Sequence, residues 1–376
     1  MAYRYRCLRV PTLSLPTATR TIPRRFASTS TATPPDTVNI VEVGPRDGLQ
    51  NEKNTIPLET KVELVRRLAR TGLRTIEAGS FVSPKWTPQM ANSSDILENI
   101  LHKPPESPEE IVYQFLVPNK KGLDNFLNVY NNPSPHDPLT PPPSPRADGT
   151  QSPPSHALFQ NGSEVEISIF TAATETFTQK NTNCSIAESL ARFAPIFEIS
   201  KQHNLRIRAY ISVALGCPYE GPDVGPHKVA DLAISLLEMG ADEISVADTT
   251  GQGTAPKTRT LLNTLSAAGV ESQDLALHFH DTFGMALVNT VVGLEHGIRT
   301  FDGAVAGLGG CPYSPGATGN VGTEDLVYLC ESLGLRTGID MVKLAETGEW
   351  ISREVGRGNE SSAGKATLAR LRRGGG

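Results

Sequence analysis

Eight short runs rich in β-branched and apolar residues, at 38–43, 75–78, 111–117, 165–170, 207–213, 243–247, 275–279 and 300–305, alternate with longer stretches of a different rhythm. In the longer stretches, which include 58–71, 186–203, 228–239, 256–268 and 285–296, apolar residues return every three or four positions. Short bounded apolar runs read as buried strands, and three-or-four spacing reads as amphipathic helix. Strands separated by helices pair in parallel, because each crossover returns the chain to the same end of the sheet. Eight such units predict an α/β fold closed into a (β/α)8 TIM barrel, and 376 residues suffice for one barrel of about 250 residues with extensions.

The barrel is expected to occupy 36–355, with 325–333 and 340–351 as a short helical C-terminal extension and 356–376 as a poorly ordered tail. Residues 132–160 interrupt the rhythm with Pro-Ser-Pro, Pro-Pro-Pro-Ser-Pro and Ser-Pro-Pro segments. Such composition cannot bury a core, so they read as a disordered Pro-rich insertion. Residues 1–35 hold six Arg, many Ser and Thr, and neither Asp nor Glu. That composition predicts a mitochondrial transit peptide and linker, and places the mature chain in the mitochondrial matrix.

The net charge of −5 already includes those six Arg, so the remainder is more acidic still and is not expected to bind nucleic acid. No apolar run approaches the roughly 20 residues that a membrane span requires. The five Cys (7, 184, 217, 311 and 330) form no C-x-x-C pair, which argues against a zinc ribbon or a redox dithiol.

Chemistry-bearing residues gather at the C-terminal ends of the predicted strands, where barrel enzymes build their sites. His278 and His280 close the seventh run and, being two apart on a strand, point the same way. Arg46 and Asp47 follow the first run, and Asn320 lies beyond the eighth. Asp47, His278, His280 and Asn320 together offer two nitrogens and two oxygens, a set that suits octahedral Mg²⁺ or Mn²⁺, with zinc as a competitor. Glu77 and Asp248 are carboxylates at the same mouth, each able to hold Arg46 or a ligand. Gly307-Leu308-Gly309-Gly310-Cys311-Pro312-Tyr313 sets a thiol in a glycine loop, but Gly216-Cys217-Pro218-Tyr219 repeats the local spelling, so neither thiol stands out from spelling alone. A dinucleotide reading of the glycines fails, because the spacing is not G-x-G-x-x-G and the loop follows the last strand.

Taken together, 41–52, 80–86, 214–221, 278–281 and 307–313 resemble 3-hydroxy-3-methylglutaryl-CoA lyase, over about 38–341 apart from the insertion. The resemblance implies a divalent-metal TIM barrel, a homodimer, that cleaves 3-hydroxy-3-methylglutaryl-CoA to acetyl-CoA and acetoacetate in leucine degradation and ketone-body formation. It implies Asp47, His278, His280 and Asn320 as metal ligands and Cys311 as the catalytic thiol, with Cys217 at a non-catalytic position. Arg46 matches the residue that contacts the reacting carbonyl, and Gln50, Glu77 and Asp248 stand with it as substrate-binding candidates. Either Asp47 or His278 can take the hydroxyl proton. Rival readings are a Claisen-type synthase, a lyase for a related 3-hydroxyacyl-CoA and a catalytically silent binding barrel; related synthases lack the Gly-Gly-Cys-Pro loop.

Overall fold

The computed structural model describes residues 36–132, 162–310 and 319–374. The expectations for 1–35, for the Pro-rich insertion beyond Asn132 and for Cys311 lie outside these residues. Eight parallel strands close into a barrel in chain order: β1 (Asn39–Glu42), β2 (Thr75–Ser80), β3 (Val112–Leu116), β4 (Glu164–Ala172), β5 (Ile207–Ser212), β6 (Glu243–Asp248), β7 (Leu275–Phe279) and β8 (Thr300–Gly303). β8 pairs with β1 from Asn39↔Thr300 to Glu42↔Gly303, which closes the ring. The helices are α1 (Leu58–Ala69), α2 (Ser93–His102), α3 (Lys120–Asn131), α4 (Glu175–Thr182), α5 (Ile186–Gln202), α6 (Pro226–Met239), α7 (Ala255–Ala267), α8 (Ala286–Glu295), α9 (Thr323–Ser332), α10 (Met341–Val355) and α11 (Ser362–Arg372).

Local chemistry sets several of these boundaries. Ser185 and Glu188 form a capping box at the start of α5, each satisfying a backbone N–H of the other's turn. Pro226 opens α6, where its missing N–H costs nothing, and Gly240 ends it at φ 109°. Among the described residues no helix is long and apolar enough to cross a membrane.

The tail differs from expectation. Residues 362–372 are helical, and Ser361 accepts a bond from the Gly364 N–H at 3.0 Å. The Ala363 N–H donates to Asp325 Oδ1 at 2.7 Å and Leu368 is buried, so α11 folds back onto α9 and α10. One cap and one apolar anchor make this helix. The many Lys and Arg around them hide it from a periodicity reading.

Side-chain bonds between strands that are not neighbours in the sheet must cross the lumen, and several do. Glu77 on β2 reaches Ser168 on β4 and Tyr210 on β5, while Asp302 on β8 reaches Arg208 on β5 and Ser245 on β6. The lumen is therefore a polar network in place of stacked aliphatic layers. Along β5, Arg208 and Tyr210 share one face, while Ile207, Ala209 and Ile211 lie on the other within the apolar core.

Candidate active site

The rim grows from the end of β1. Gly44–Gly48 forms a single π-helical turn directly after the strand, and this turn lifts Arg46 and Asp47 into the mouth. Its start is pinned by Glu42, whose Oε1 accepts the Gly44 N–H at 2.8 Å. Arg46 Nε donates to Glu77 Oε2 at 2.7 Å, and Nη2 lies 2.6 Å from the same oxygen. Its Nη1 donates to Asp47 Oδ1 at 2.7 Å. Gln50 Nε2 donates to that same Oδ1 at 2.7 Å, so Oδ2 is the oxygen of Asp47 left facing the histidines.

His278 Nε2 lies 4.0 Å and His280 Nε2 3.9 Å from Asp47 Oδ2. One ligand atom from each of Asp47, His278 and His280 falls within 4.8 Å of the others. Asn320 arrives by a different route. A backbone bridge pairs it with His280, and its Nδ2 donates to Asp47 Oδ2 at 2.9 Å and to the Leu308 carbonyl at 3.1 Å. Two buried polar atoms at this point, His280 Nδ1 and Asn320 Oδ1, have no hydrogen-bond partner. Converging nitrogen and oxygen donors with unmet bonding capacity fit a divalent metal, which satisfies such groups by coordination.

Charge is arranged for the same purpose. Burial pushes the Asp47 carboxyl up, but Arg46 above all, then His278, His280 and Asn320, hold it down at about 2. Burial, reinforced by His278, lowers His280 to about 4, so at neutral pH it is the uncharged imidazole that a metal requires. Arg46 stays charged: burial opposes its ionisation, and Glu77 and Asp47 more than restore it.

Several participants were not anticipated. Asp302, fully buried, accepts from Arg208 Nη2 at 2.6 Å and lies 3.1 Å from His278 Nδ1. That contact leaves His278 Nε2 to face Asp47, an orienting arrangement common behind metal-binding histidines. Tyr210 donates to Glu77 Oε2 at 3.2 Å, and Ser168 donates to Glu77 Oε1 at 2.7 Å. The available signal was an acid within the eighth run and an Arg-x-Tyr pair within the fifth, both out of character for strands buried on two faces.

The remaining candidates fall as follows. Glu77 holds Arg46, whereas Asp248 turns Oδ2 to its own loop, accepting from the Gly253 N–H at 2.8 Å, so for Asp248 the Arg46 alternative is not realised. Burial raises Asp248 to about 6, against the bonds from Gly253 and its neighbours. Cys217 is buried against Thr174 Oγ1 at 3.2 Å.

The eighth run ends as a strand at Gly303, short of the expected 305, because Val305–Gly307 coils into a 3₁₀ turn with Ala306 at φ 59°. Left-handed backbone costs a non-glycine residue about 1–2 kcal/mol. Two buried carboxyl groups hold it there. Glu42 accepts the Val305 N–H at 2.9 Å, and Glu324 accepts the Ala306 N–H at 3.1 and 3.0 Å.

A family model described as HMGL-like matches residues 37–128 and 153–351. The 3-hydroxy-3-isohexenylglutaryl-CoA/hydroxy-methylglutaryl-CoA lyase of Pseudomonas aeruginosa is 45% identical over 336 residues, covering 89% of this chain and 99% of that protein. The mitochondrial hydroxymethylglutaryl-CoA lyase of Mus musculus is 43% identical over 344 residues, covering 92% and 94%. The crystal structure of hydroxymethylglutaryl-CoA lyase from Pseudomonas aeruginosa superposes with a TM-score of 0.76 at 44% identity, covering 89% of this chain and 99% of that one.

Proposed function

The chain belongs to the HMGL-like family, and from that premise we propose that it is a carbon–carbon lyase that cleaves 3-hydroxy-3-methylglutaryl-CoA to acetyl-CoA and acetoacetate. The observation that carries this reading is the convergence of Asp47, His278 and His280 within 4.8 Å, on the rim beside a buried Arg46. The relatives are named for this thioester.

Asp47, His278, His280 and Asn320 would hold Mg²⁺ or Mn²⁺, since a mixed oxygen and imidazole set suits either. When bound, the ion supplies Lewis acidity to the oxygens of a hydroxy acid. Asp47 or His278 takes the proton of the tertiary hydroxyl. As the C2–C3 bond breaks, C3 becomes the ketone of acetoacetate and the bonding electrons move into the thioester as an enolate. Arg46, with donors to spare beyond those on Glu77 and Asp47, stabilises the enolate oxygen. Cys311 then gives its thiol proton to C2, completing acetyl-CoA, and recovers a proton from the group that took the first. A thiol suits the step because its ordinary pKa of about 8.5 lies near working pH. Gln50 and Glu77 set the poise of Asp47 and Arg46, and Asp248 lines the β6 side of the mouth.

Two further proposals accompany this one. The Arg-rich, acid-free residues 1–35 support delivery to the mitochondrial matrix, and relatives from Mus musculus and Rattus norvegicus are named mitochondrial, while a second Rattus norvegicus relative is named cytoplasmic. Exposed Phe283, Val288 and Tyr328, on α8, α9 and the loop before α8, support a homodimer, which light scattering would check. The lyase reading itself is tested by stripping the protein with EDTA. Thioester cleavage should vanish and return on adding Mg²⁺ or Mn²⁺, and undiminished cleavage in EDTA would refute the metal centre.

A further inference from the structure

Past the end of α10 the chain crosses back over the barrel mouth before entering α11, and it touches the glycine loop twice. The Glu360 N–H donates to the Ala306 carbonyl at 3.0 Å, and Arg357 Nη1 donates both to the Gly309 carbonyl at 3.1 Å and to Glu52 Oε1 at 2.7 Å. Glu52 follows the π-helical turn that carries Arg46 and Asp47, so a single guanidinium joins the two loops that supply the rim. Gly309 matters for what lies beneath it. At φ 116° it packs so closely on Asn320 that a Cβ there would lie 2.6 Å from Nδ2, and the adjoining Leu308 carbonyl accepts from that nitrogen. The height of Leu308–Gly309 therefore decides where the Asn320 amide sits, and with it where Oδ1 points.

We propose that Arg357 is a positioning residue for the metal site: it holds the Gly309 carbonyl against the loop after β1 and thereby fixes the Asn320 amide beside Asp47. Arg357 lies outside the 37–351 reach of the family match, on a segment whose sequence gave no functional signal. Both bonds leave a single nitrogen, Nη1, whose two N–H groups are fixed in the guanidinium plane. Lysine has donors enough for both acceptors, but its shorter side chain and freely rotating ammonium do not hold them at that place and angle. The inference rests on the metal reading given above.

The test is Mn²⁺ binding to the metal-free full chain, followed by calorimetry, for the wild type, Arg357→Ala, Arg357→Lys and Glu52→Gln, with thermal unfolding recorded for each. Arg336→Ala, which removes a more exposed ion pair to Asp36 away from the mouth, is the control. Loss of a direct partner behind a metal ligand typically weakens binding roughly 10–100-fold. One bond further out, Arg357→Ala should weaken Mn²⁺ binding by about 3–10-fold, Arg357→Lys should recover only part, and Glu52→Gln, which leaves the Gly309 bond and keeps an amide oxygen to accept from Nη1, should bind close to wild type. Arg336→Ala should not differ from wild type. Equal Mn²⁺ affinity in Arg357→Ala and wild type would overturn the inference while leaving the metal centre intact. Equal weakening in Glu52→Gln and Arg357→Ala would also overturn it, since the ion pair and not the carbonyl contact would then carry the effect. A wild type that binds no Mn²⁺ would overturn the metal reading and this inference with it.

Discussion

Arg46 and Glu77 meet in a pinched contact in which Nε and Nη2 converge on one oxygen, Oε2, at 2.7 and 2.6 Å, with both side chains buried at the barrel mouth. Glu77 Oε1 is taken by Ser168, and Oε2 also accepts from Tyr210. The guanidinium is thus fixed before any substrate arrives, and no reorganisation is needed when charge develops.

Replacing Arg46 by Gln should therefore lower kcat by about 100–1,000-fold while changing KM little, because the enolate charge exists only along the reaction. Steady-state kinetics on the thioester read this directly. A raised KM at unchanged kcat would assign Arg46 to ground-state binding.

Asp302 sits between Arg208 and His278, so Asp302→Asn turns one acceptor into an N–H donor against groups that need acceptors. Metal affinity should fall roughly 10–100-fold as His278 loses its orienting partner. Because Arg208 is buried, unfolding free energy should also drop, by about 3–5 kcal/mol if that pair breaks completely. Calorimetric Mn²⁺ titration and urea unfolding measure the two effects separately.

Cys311→Ala should leave metal and thioester binding in place and cut turnover by about 100–10,000-fold, the usual contribution of a positioned proton donor. Full turnover in this variant would remove the thiol from the reaction.

Much of this was legible before any coordinates. The βα alternation specified the barrel, because parallel pairing and crossover geometry leave few other closures. The convergence of Asp47, His278 and His280 was legible too, since strand-end position is a topological property that sequence order carries. Asp302 and Arg208 were hidden, because a polar lumen follows from which face of each strand turns inward, and that depends on strand tilt and register. α2, α3 and α4 were also missed. In α4 only Phe177 and Thr178 are buried, too little for a periodic signal. Helix α11 is held by Ser361, Asp325 and Leu368, contacts that exist only once α9 and α10 are packed.

Glu324 links the rim to pH. Burial, with Glu42 and Asp325 adding to it, raises its carboxyl from 4.5 to about 8 despite the bond from Ala306. A raised acid keeps its proton in the folded state where the unfolded chain has lost it, so its stabilising contribution is complete below pH 4.5 and is lost as pH rises towards about 8. Glu324→Gln removes this dependence. Relative to wild type the variant should gain stability between pH 5 and pH 8, as read by thermal unfolding at both; a constant difference would contradict the assignment.

The most direct measurement is product analysis of the metal-loaded protein acting on 3-hydroxy-3-methylglutaryl-CoA, following acetyl-CoA and acetoacetate in the same reaction. The account predicts both in equal amounts, with formation abolished in Asp47→Ala. Release of free CoA without acetoacetate, or no product with either Mg²⁺ or Mn²⁺, would contradict it.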